Sequence, residues 1–489
     1  MAHVLLVESW VGAMSRLLPR AILEAGHGFS FLTRDLHHYL RGAPAGGAHP
    51  LLAARNLLTA DTNDVPALLE HVTRLHEAIP FDGVITSCDY YLETVALIAA
   101  RLNLPGPKPD AVRTAYRKDL TRRALDRAGL PQPRFARAEG WTEVSRAAGE
   151  IGFPLVLKPV DLCAGMYVRR VADATELRAA FDAVAGFPVN ARRQARVPAV
   201  LLEELMSGPE VSVETVTVDG STTVIGVTDK SLGGATGFVE TGHMFPADLD
   251  PLFLAAPAAA ASPSPAASFP APFSVVHPLP AASFSTPSAA ARPLPAASTS
   301  ARPLSARPPS PAASLSSAAP SFPAGSRGFM GVAEVAVAAL DAVGLDHGVA
   351  HTELRLTADG PKVVEINPRP AGNEITELIR RVTGIDLPMV YAQLALGETP
   401  DLSRRDTGVG SAAVAFVLPT RAGTIQEIRR WPDDERIVDW SLRGPGHRTG
   451  DASSNNDYLG HVMVVDEKPA GARPVADALA AGAQVVYAA

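Results

Sequence analysis

The sequence predicts an α/β protein (α+β overall) with a doubly wound α/β domain at its start and a small α+β domain at its end. In the first hundred residues, apolar runs of strand length alternate with amphipathic runs of helix length, as in a parallel sheet covered by helices on both faces. Farther along, strand-like runs joined by short turns indicate antiparallel hairpins. At 489 residues, the chain has room for about three domains of ~150 residues each.

Three strand signals and three helix signals alternate in the first predicted domain, residues 1–108. The strand signals are HVLLVES, GFSFLT and FDGVITS, and the helix signals are GAMSRLLPRAILEAGH, VPALLEHVTRLHEAIP and YYLETVALIAARLNL. The first strand is not followed by a G-x-G-x-x-G motif, which argues against a dinucleotide site. The prolines in LPGPKPD indicate where this domain ends.

The rest of the chain is predicted to form two more domains, one of them interrupted by a segment of unusual composition. Residues 109–405 mix helices with hairpins, and residues 406–489 run from SAAVAFVLP to GHVMVVDE, a helix and AQVVYAA as a small α+β unit. Residues 251–327 are mainly Ala, Pro and Ser, without Asp, Glu or Lys. Because this segment lacks the apolar side chains that would offset its ordering entropy, we expect a disordered insertion grown from a short tandem repeat. A proline-rich docking site or a mobile lid is the alternative.

Composition excludes several classes of function. A formal charge of −7 argues against a surface for nucleic acid or anionic membrane. Two cysteines, Cys88 and Cys163, cannot build a disulfide framework or a cysteine-rich metal site. The first residues lack the basic start of a signal peptide, and the most apolar helix signal, VAEVAVAALDAVG, is too short to span a bilayer. We therefore expect a cytoplasmic protein that binds neither nucleic acid nor membrane.

The stretch HTELRLTADGPKVVEINPRP carries two acidic residues in what reads as a β-hairpin. Side chains alternate along a strand, so Glu353 points to one face of the first strand and Glu365 shares a face with Asn367 on the second. A turn centred on Asp359 would place Glu353 directly across from Glu365. Because like charges in opposed positions repel, we expect a positive group between them.

Two interpretations of this hairpin remain open on its own residues. Carboxylate and amide oxygens from Glu353, Glu365 and Asn367 would suit Mg²⁺ better than zinc. Arg369, just past the second strand, would reach the same centre. The alternative is a salt-bridged hairpin in which Arg355 neutralises Glu353.

Two further stretches carry residues of the kind that bind nucleotides. In FPLVLKPVDLCAGMYVRRV, Lys158 ends an apolar strand beside a loop, where it would bind phosphate or simply reach solvent. In AVLLEELMSGPEVSVETVTVDG, Glu203 and Glu204 end one strand and Glu210 begins the next. These acids would hold a purine amine and ribose hydroxyls, or they would belong to a solvated hairpin.

Taken in this order, the segments resemble the ATP-grasp superfamily, a resemblance strengthened by AYRKDLTRRALDRAGLPQPRF and covering the chain outside the insertion. It implies an N-terminal Rossmann-like preATP-grasp domain, an ATP-grasp domain and a small C-terminal domain. It also implies ATP-binding residues of four kinds: two phosphate-binding lysines, an acid at the adenine amine, a three-residue hinge and an acid at the ribose. Lys118 and Lys158 match the phosphate-binding lysines, and Glu203 matches the acid at the adenine amine. Glu204, Leu205 and Met206 match the hinge, and Glu210 matches the ribose acid.

The resemblance also implies the metal ligands and the catalytic arginine. Glu353, Glu365 and Asn367 match the ligands of Mg²⁺, with Mn²⁺ as a substitute, and Arg369 matches the arginine that stabilises the reacting centre. The chain departs from the family in the loop DLCAGM. It has one glycine, Gly165, where relatives carry a richer Gly/Ser run, so fewer main-chain amides are free for phosphate.

The stretch GFVETGHMFPADL resembles the substrate loop of amino-acid ligases that join two amino acids, the bacilysin-synthetase type. That resemblance implies that Glu240 holds the amino group of the first substrate, with His243 beside it and Asn373 tuning the pocket. The alternative is that ETGH is only a structural loop.

The resemblance implies ATP-dependent ligation of two amino acids through an acylphosphate. Two rival functions remain: a ligase of the same superfamily that uses a non-amino-acid carboxylate or a carrier-bound amine, and a non-catalytic nucleotide-binding scaffold. The expected partners are small-molecule substrates, and the oligomeric state is open, with a homodimer as one option.

Overall fold

The computed structural model describes residues 1–40, 49–250, 253 and 330–488. The predicted insertion at residues 251–327 lies outside the described residues, apart from residue 253. The described part of the chain is a mixture of helices and β-sheets, which confirms the predicted fold class.

The chain begins with the parallel sheet that the alternating signals predict. Its strands are β1 (His3–Val7), β2 (Gly28–Thr33), β3 (Asn56–Thr59) and β4 (Gly83–Ile85). They lie in the order β3-β2-β1-β4, and each neighbouring pair is parallel. The helices that follow the strands are α1 (Met14–Glu24), α2 (Leu36–Leu40), α3 (Val65–Ala78) and α4 (Leu92–Arg101). The short strand β3 and the short helix α2 were not predicted from the sequence.

Both faces of this sheet are covered by helices. Val4 and Leu6 of β1 pack in the core beside α1, whereas Leu5 and Val7 pack on the opposite face beside α3 and α4. A 3₁₀ turn, Asp89–Tyr91, follows β4 at the carboxyl edge of the sheet. Because open α/β sheets bind ligands at that edge, the turn is a candidate part of the functional site.

A smaller antiparallel sheet comes next in the chain. The helices α5 (Pro109–Tyr116) and α6 (Lys118–Arg127) lead into β5 (Phe135–Ala138), α7 (Trp141–Ile151), β6 (Leu155–Pro159), β7 (Arg169–Val171), α8 (Ala174–Ala185) and β8 (Val200–Glu204). The strand order is β5-β8-β6-β7. The α7 and α8 helices share a hydrophobic core with these strands. Asp173 caps α8, since its Oδ1 accepts hydrogen bonds from the main-chain amides of Thr175 and Glu176.

The largest sheet in the described part of the chain is antiparallel and has eight strands. Its strands are β9 (Glu210–Val218), β10 (Ser221–Gly233), β11 (Val239–Phe245), β12 (Gly348–Thr357), β13 (Gly360–Asn367), β14 (Ser411–Val417), β16 (Ile437–Leu442) and β18 (Gly460–Asp466). They lie in the order β13-β12-β9-β10-β11-β14-β18-β16. Since β11 pairs with β14, the sheet continues across residue 405, where the sequence predicts a domain boundary.

The remaining elements complete the C-terminal half. A three-stranded sheet has the order β17-β15-β19, from β15 (Gly423–Arg429), β17 (Arg448–Thr449) and β19 (Gln484–Tyr487). The helices are α9 (Val332–Val343), α10 (Ile375–Thr383), α11 (Leu387–Ala395) and α12 (Ala472–Gly482). The predicted helix α9 ends at Gly344, whose φ of 76° is left-handed and costs glycine little. Among the described residues, no helix is both long and apolar enough to cross a membrane.

Candidate active site

The two opposed carboxylates predicted from the sequence are present in the β12–β13 hairpin. Glu353 lies directly across from Glu365, and the register shifts just after this pair, between Glu353 and Leu354. Each carboxylate has its own lysine partner. Lys118 Nζ lies 2.8 Å from Glu365 Oε2, and Lys230 Nζ lies 2.6 Å from Glu353 Oε1. The positive charge expected at this position is therefore supplied by two buried lysines from outside the hairpin.

Arg355, the alternative partner considered for Glu353, pairs with a different acid. Its Nη2 lies 2.8 Å from Glu210 Oε2 on β9. The reason is the sheet register, because β12 also pairs with β9 and Arg355 stands directly opposite Glu210. The alternative interpretation, in which Arg355 neutralises Glu353, is therefore wrong.

Lys118 connects the hairpin to the predicted phosphate-binding loop. Its Nζ donates a hydrogen bond to the carbonyl of Leu162 at 2.8 Å while it pairs with Glu365. Asn367 donates to Glu365 Oε1 at 3.0 Å. Burial alone would raise the pKa of Glu365, but Lys118 and Asn367 together hold that pKa well below its usual range. Glu365 is therefore a charged, fixed oxygen donor.

Lys230 on β10 joins three of the predicted site residues. Its side chain is fully buried, and its Nζ lies 2.6 Å from Glu353, 3.0 Å from Glu240 and 3.4 Å from Glu210. Burial alone would lower the pKa of Lys230, but the three carboxylates raise it well above its usual value. The predicted ribose acid, metal ligand and amine-binding acid thus meet at one ammonium group.

A buried histidine contacts the same oxygen of Glu353 as Lys230 does. His351 Nε2 lies 3.0 Å from Glu353 Oε1, and its Nδ1 lies 2.7 Å from Glu214 Oε1. Ser212 donates to the same oxygen of Glu214 at 2.8 Å. Although burial alone would lower the pKa of His351, the two carboxylates raise it to about 9.

The second predicted phosphate lysine is also part of a buried ion-pair network. Lys158 Nζ on β6 lies 2.8 Å from Glu203 Oε2 on β8, and Arg122 Nε lies 2.6 Å from Glu203 Oε1. Arg122 also donates to the main-chain carbonyls of Val363 and Val364 on β13. The network thereby ties the small sheet to the hairpin that carries Glu365. The carboxylate of Glu203 is committed to these two cations, and its predicted role at adenine stays a prediction.

The predicted hinge borders a cleft of about 860 Å³. Leu205 and Met206 line it. The rest of the lining includes Phe238, Arg355 and residues of β7 and α8. Glu204, the first hinge residue, is one-quarter exposed and pairs with Arg134 at 2.9 Å and with Lys362 at 3.3 Å. The cleft has the volume and the mixed polar and apolar lining of a small-molecule site.

The three predicted amino-acid-binding residues come together on β11 and the segment before α10. His243 Nε2 lies 3.1 Å from Glu240 Oε2, and the Asn373 amide donates to the same oxygen. Burial alone would raise the pKa of Glu240, but Lys230 and His243 hold it well below its usual range. Burial lowers the pKa of His243, so its imidazole is neutral near pH 7 and donates from Nε2.

The backbone around Asn373 is held in an uncommon conformation. Asn373 and Glu374 have φ values of 49° and 65°, in the left-handed region that side chains other than glycine and asparagine rarely adopt. Aromatic rings pack beside His243: His243 meets Phe416 edge-on with ring centroids 5.5 Å apart, and Phe416 stacks on Tyr458 at 4.1 Å. Glu374 is the less usual of the two, and side chains held in this region cluster at functional sites.

Arg369 is held by an acid from the parallel sheet. Its Nε and Nη2 lie 2.8 and 2.7 Å from Asp89 Oδ1, in the turn after β4. Burial alone would lower the pKa of Arg369, but Asp89 raises it, so the guanidinium is charged. Trp10, which follows β1, donates its indole N–H to the other oxygen of Asp89.

The loop DLCAGM turns sharply above Lys118. Ala164 and Gly165 have φ values of 56° and 68°, so both are left-handed. Burial raises the pKa of the Cys163 thiol well above its usual value, which keeps it protonated and unreactive. The loop is therefore a phosphate-loop candidate without a nucleophilic cysteine.

The predicted metal ligands have the chemistry that Mg²⁺ prefers. Glu353, Glu365 and Asn367 offer oxygen donors only. Across the part of the chain that the structure describes, no three His, Cys, Asp or Glu side chains are grouped so that they could hold a metal ion. The residues fit an ion that is shared with substrate phosphates, as is usual for Mg²⁺, rather than an all-protein cage.

Sequence reasoning missed Lys230, Asp89, Arg122 and His351. A partial signal was available for Lys230, because the turn VDG predicts the β9–β10 hairpin. A bulge between Val224 and Gly226 then shifts the register by one residue, and only this shift places Lys230 opposite Glu210. The contact between Asp89 and Arg369 joins residues 280 positions apart, and no local pattern indicates it.

Sequence profiles of three families match separate parts of the chain. The ATP-grasp N-terminal domain matches residues 28–106, the ATP-grasp domain matches residues 151–256, and the L-amino acid ligase C-terminal domain 2 matches residues 415–488. The matched segments follow one another in the order that the sequence resemblance implies.

Individual relatives agree with these profiles. An uncharacterized protein, y4rH of Sinorhizobium fredii, is 26% identical over 368 residues, which cover 75% of this chain and 59% of that protein. The alanine–anticapsin ligase of Bacillus subtilis is 26% identical over 198 residues, covering 37% of this chain and 42% of the ligase. The matches thus span less than two thirds of either relative.

A solved structure extends the likeness to the complete fold. The crystal structure of an L-amino acid ligase from Bacillus licheniformis aligns with a TM-score of 0.71 over 100% of this chain and 99% of its own, at 18% identity. At that identity the alignment establishes the fold, and the family profiles add the sequence signal. The chain therefore belongs to the ATP-grasp superfamily, within which it resembles the L-amino acid ligases.

Proposed function

We propose that the chain is an ATP-dependent carboxylate–amine ligase that joins two amino acids. A carboxylate oxygen of the first amino acid attacks the γ-phosphorus of ATP, the bond to ADP breaks, and an acylphosphate forms. The amine of the second amino acid then attacks the acyl carbon. Phosphate leaves with the former carboxylate oxygen, and the amine releases a proton. The products are a dipeptide, ADP and phosphate.

The observation that carries this proposal is the meeting of three acids at Lys230. Glu240 belongs to the predicted amino-acid site, whereas Glu210 and Glu353 belong to the predicted ATP site. A ligase must bring a substrate carboxylate to the terminal phosphate, so the two sites have to adjoin. The shared ammonium group supports that arrangement.

The predicted amino-acid site offers a negative and hydrogen-bonding surface. Glu240 is charged and His243 is neutral, and both His243 and the Asn373 amide contact the same oxygen of Glu240. A substrate ammonium would gain charge-assisted hydrogen bonds from Glu240. The names of the Bacillus subtilis and Bacillus licheniformis relatives support amino acids as the substrates.

The phosphate side of the site is lined by fixed cations. Lys118 and Lys158 would hold phosphate oxygens, and Arg369 would stabilise the charge that develops at phosphorus and then at the acyl carbon. One such donor contributes roughly 3–4 kcal/mol to a transition state. Because an acylphosphate hydrolyses in water, the cleft bordered by Leu205 and Met206 must exclude solvent during the reaction.

Glu353, Glu365 and Asn367 would hold Mg²⁺, with Mn²⁺ as a substitute. The bound ion would supply charge neutralisation for phosphoryl transfer. The three-domain division at residues 108 and 405, a cytoplasmic location and a homodimer also stay predictions.

A matrix assay tests this function. We expect release of ADP and phosphate from Mg–ATP only when a suitable pair of amino acids is present, and a product mass equal to the two amino acids less one water. The Glu365→Ala variant serves as the blank. ADP release that is independent of added amino acids, or formation of AMP and pyrophosphate, would contradict the proposal.

One observation favours a second candidate, a ligase of the same reaction type with a different acid donor. Lys230 and His243 already contact the two oxygens of Glu240. The Lys230 ammonium partly neutralises the charge of Glu240 that would attract a substrate ammonium, and a donor acid without an amino group would therefore fit this site. Adding hydroxy acids and ω-substituted acids to the matrix separates the two candidates by product mass.

A further inference from the structure

A small hairpin-like loop, residues 188–197, links α8 to β8 of the small sheet. Val189 and Ala195 form an isolated β-bridge across it. Asn190 Oδ1 accepts hydrogen bonds from the main-chain amides of Arg192 and Gln194 at 2.8 and 3.1 Å. The loop is thus internally organised, with Arg192 at its tip.

The tip of this loop docks on the parallel sheet. The carbonyl of Arg192 accepts hydrogen bonds from Arg34 Nη2 at 3.1 Å and from Asn63 Nδ2 at 2.9 Å. Gln194 donates to the carbonyl of Tyr90 at 3.2 Å. These contacts connect the small sheet, which carries Lys158, to the carboxyl edge of the parallel sheet.

The guanidinium of Arg192 is buried at the same edge. It donates to the carbonyl of Ser9 and lies over the rings of Trp10 and Tyr39, with its central carbon 5.6 and 5.4 Å from the ring centroids. The side chain is 5% exposed. A cation enclosed in this way between two aromatic rings holds both rings in place.

Trp10 is connected to the predicted catalytic residue Arg369 through Asp89. Its indole N–H donates to one oxygen of Asp89. The other oxygen of Asp89 accepts a hydrogen bond from Arg369 Nε and lies 2.7 Å from Arg369 Nη2. Asp89 is 1% exposed. Both of its oxygens are therefore engaged, and neither is free to contact a substrate.

We propose that Asp89 and Trp10 are positioning residues for Arg369, and that Arg192 couples their arrangement to the small sheet. This inference rests on the proposed function, in which Arg369 stabilises developing charge and Lys158 holds phosphate. When the small sheet is docked through Arg192, Trp10 and Asp89 fix the guanidinium of Arg369. When the loop moves away, Trp10 loses its support and Arg369 loses its fixed orientation. Phosphoryl transfer is thereby favoured in the docked arrangement.

Kinetics of conservative variants test the positioning role. Asp89→Asn preserves shape but removes the charge, and Trp10→Phe removes the indole N–H together with its five-membered ring while keeping an aromatic ring at this position. We expect each to lower kcat, Asp89→Asn by roughly tenfold to hundredfold, while the KM for ATP and the Kd for Mg–ADP change by less than about twofold. A rise in these binding constants with unchanged kcat would overturn the inference.

The coupling through Arg192 is tested by non-additivity. Arg192→Met is expected to lower kcat by about tenfold. The kcat of the double variant, Arg192→Met with Asp89→Asn, should lie within about twofold of the kcat of Asp89→Asn alone. Arg34→Met is the matched control, because Arg34 donates to the same loop tip without contacting Trp10 or Asp89. It should leave kcat within about twofold of the parent value. Fully multiplicative effects of Arg192→Met and Asp89→Asn would contradict the coupling.

Hydrogen exchange tests the coupling between Arg192 and Arg369 without any substrate. In Arg192→Met, we expect faster exchange in residues 188–197 and also in residues 369–374. In Arg34→Met, the Arg192 side chain keeps its contacts with Ser9, Trp10 and Tyr39, so exchange in residues 369–374 should stay at the parent rate. Faster exchange of residues 188–197 alone in Arg192→Met would overturn the link. If no pair of acids supports ADP release, the proposed function fails, but the exchange result still shows whether Arg192 and Arg369 are connected.

Discussion

Glu353 and Glu365 stand opposite each other in one hairpin, yet each is held by a lysine from a different part of the chain. Lys230 of β10 pairs with Glu353, and Lys118 at the start of α6 pairs with Glu365. Two opposed acids in a sheet repel unless other charges compensate them. The hairpin therefore depends on elements outside it, and both lysines lie where the proposed ATP and amino-acid sites adjoin.

Replacing Glu365 is predicted to stop ATP turnover. Glu365→Gln removes a charged oxygen donor of the proposed metal site and leaves Lys118 unpaired, so we expect ADP release to fall by roughly hundredfold or more. Circular dichroism should still show a folded protein. Asp359→Asn in the turn of the same hairpin is the control, because the Asp359 side chain is 82% exposed and should be dispensable. Turnover retained in Glu365→Gln would rule out the metal assignment.

Lys230→Met is predicted to destabilise the protein strongly. It leaves Glu210, Glu240 and Glu353 without their shared cation, and breaking a buried ion pair costs about 3–5 kcal/mol of the free energy of unfolding. Urea unfolding measures this loss. The exposed pair of Lys108 and Asp346 provides the control, since Lys108→Met should cost less than about 1 kcal/mol.

A second variant keeps the Lys230 prediction testable if the single variant is too unstable to study. Adding Glu240→Gln to Lys230→Met removes one of the uncompensated charges, so part of the lost stability should return. Equal stability of Lys230→Met and the parent protein would show that the three carboxylates do not need this lysine.

Glu240→Gln is predicted to affect the amino-acid site more than the ATP site. The amide keeps a hydrogen-bond acceptor for His243 but loses the charge that would attract a substrate ammonium. We expect the KM for the first amino acid to rise roughly tenfold, with the KM for ATP within about twofold of the parent value. Equal increases in both constants would remove Glu240 from the substrate site.

His243 is predicted to make the protein less stable at mildly acidic pH. Burial lowers its pKa in the folded state below the ordinary 6.5, so the unfolded chain binds a proton first as the pH falls. The contribution of neutral His243 is therefore complete above pH 6.5 and is lost as the pH drops below it. The free energy of unfolding measured from pH 7.5 to 5 should decline more steeply in the parent protein than in His243→Asn. Parallel curves would mean that His243 is not held in its neutral form.

Local patterns were sufficient for the hairpin and for most secondary structure. The alternation of residues along β12 and β13, with the turn at Asp359, correctly placed Glu353 across from Glu365. The parallel sheet followed from alternating strand and helix signals. These features depend on neighbouring residues, and a single sequence displays them directly.

The partners of the site residues were much harder to predict. Lys230 meets Glu240 and Glu353 only because β10 lies between β11 and β9, with β12 beyond, an order set by tertiary packing. Arg355 likewise pairs with Glu210 rather than Glu353 because of the β12–β9 register. Which cation reaches which acid is thus decided by long-range strand order, which periodicity does not reveal.

The most direct test of the proposed chemistry follows one oxygen atom. The first amino acid is supplied with ¹⁸O in its carboxylate, together with Mg–ATP and the second amino acid, and the released phosphate is analysed by mass. An acylphosphate mechanism predicts one ¹⁸O in phosphate for each amide bond formed, with ADP as the other product. Unlabelled phosphate, or label that appears in AMP, would contradict the proposal that this chain activates a carboxylate by phosphorylation.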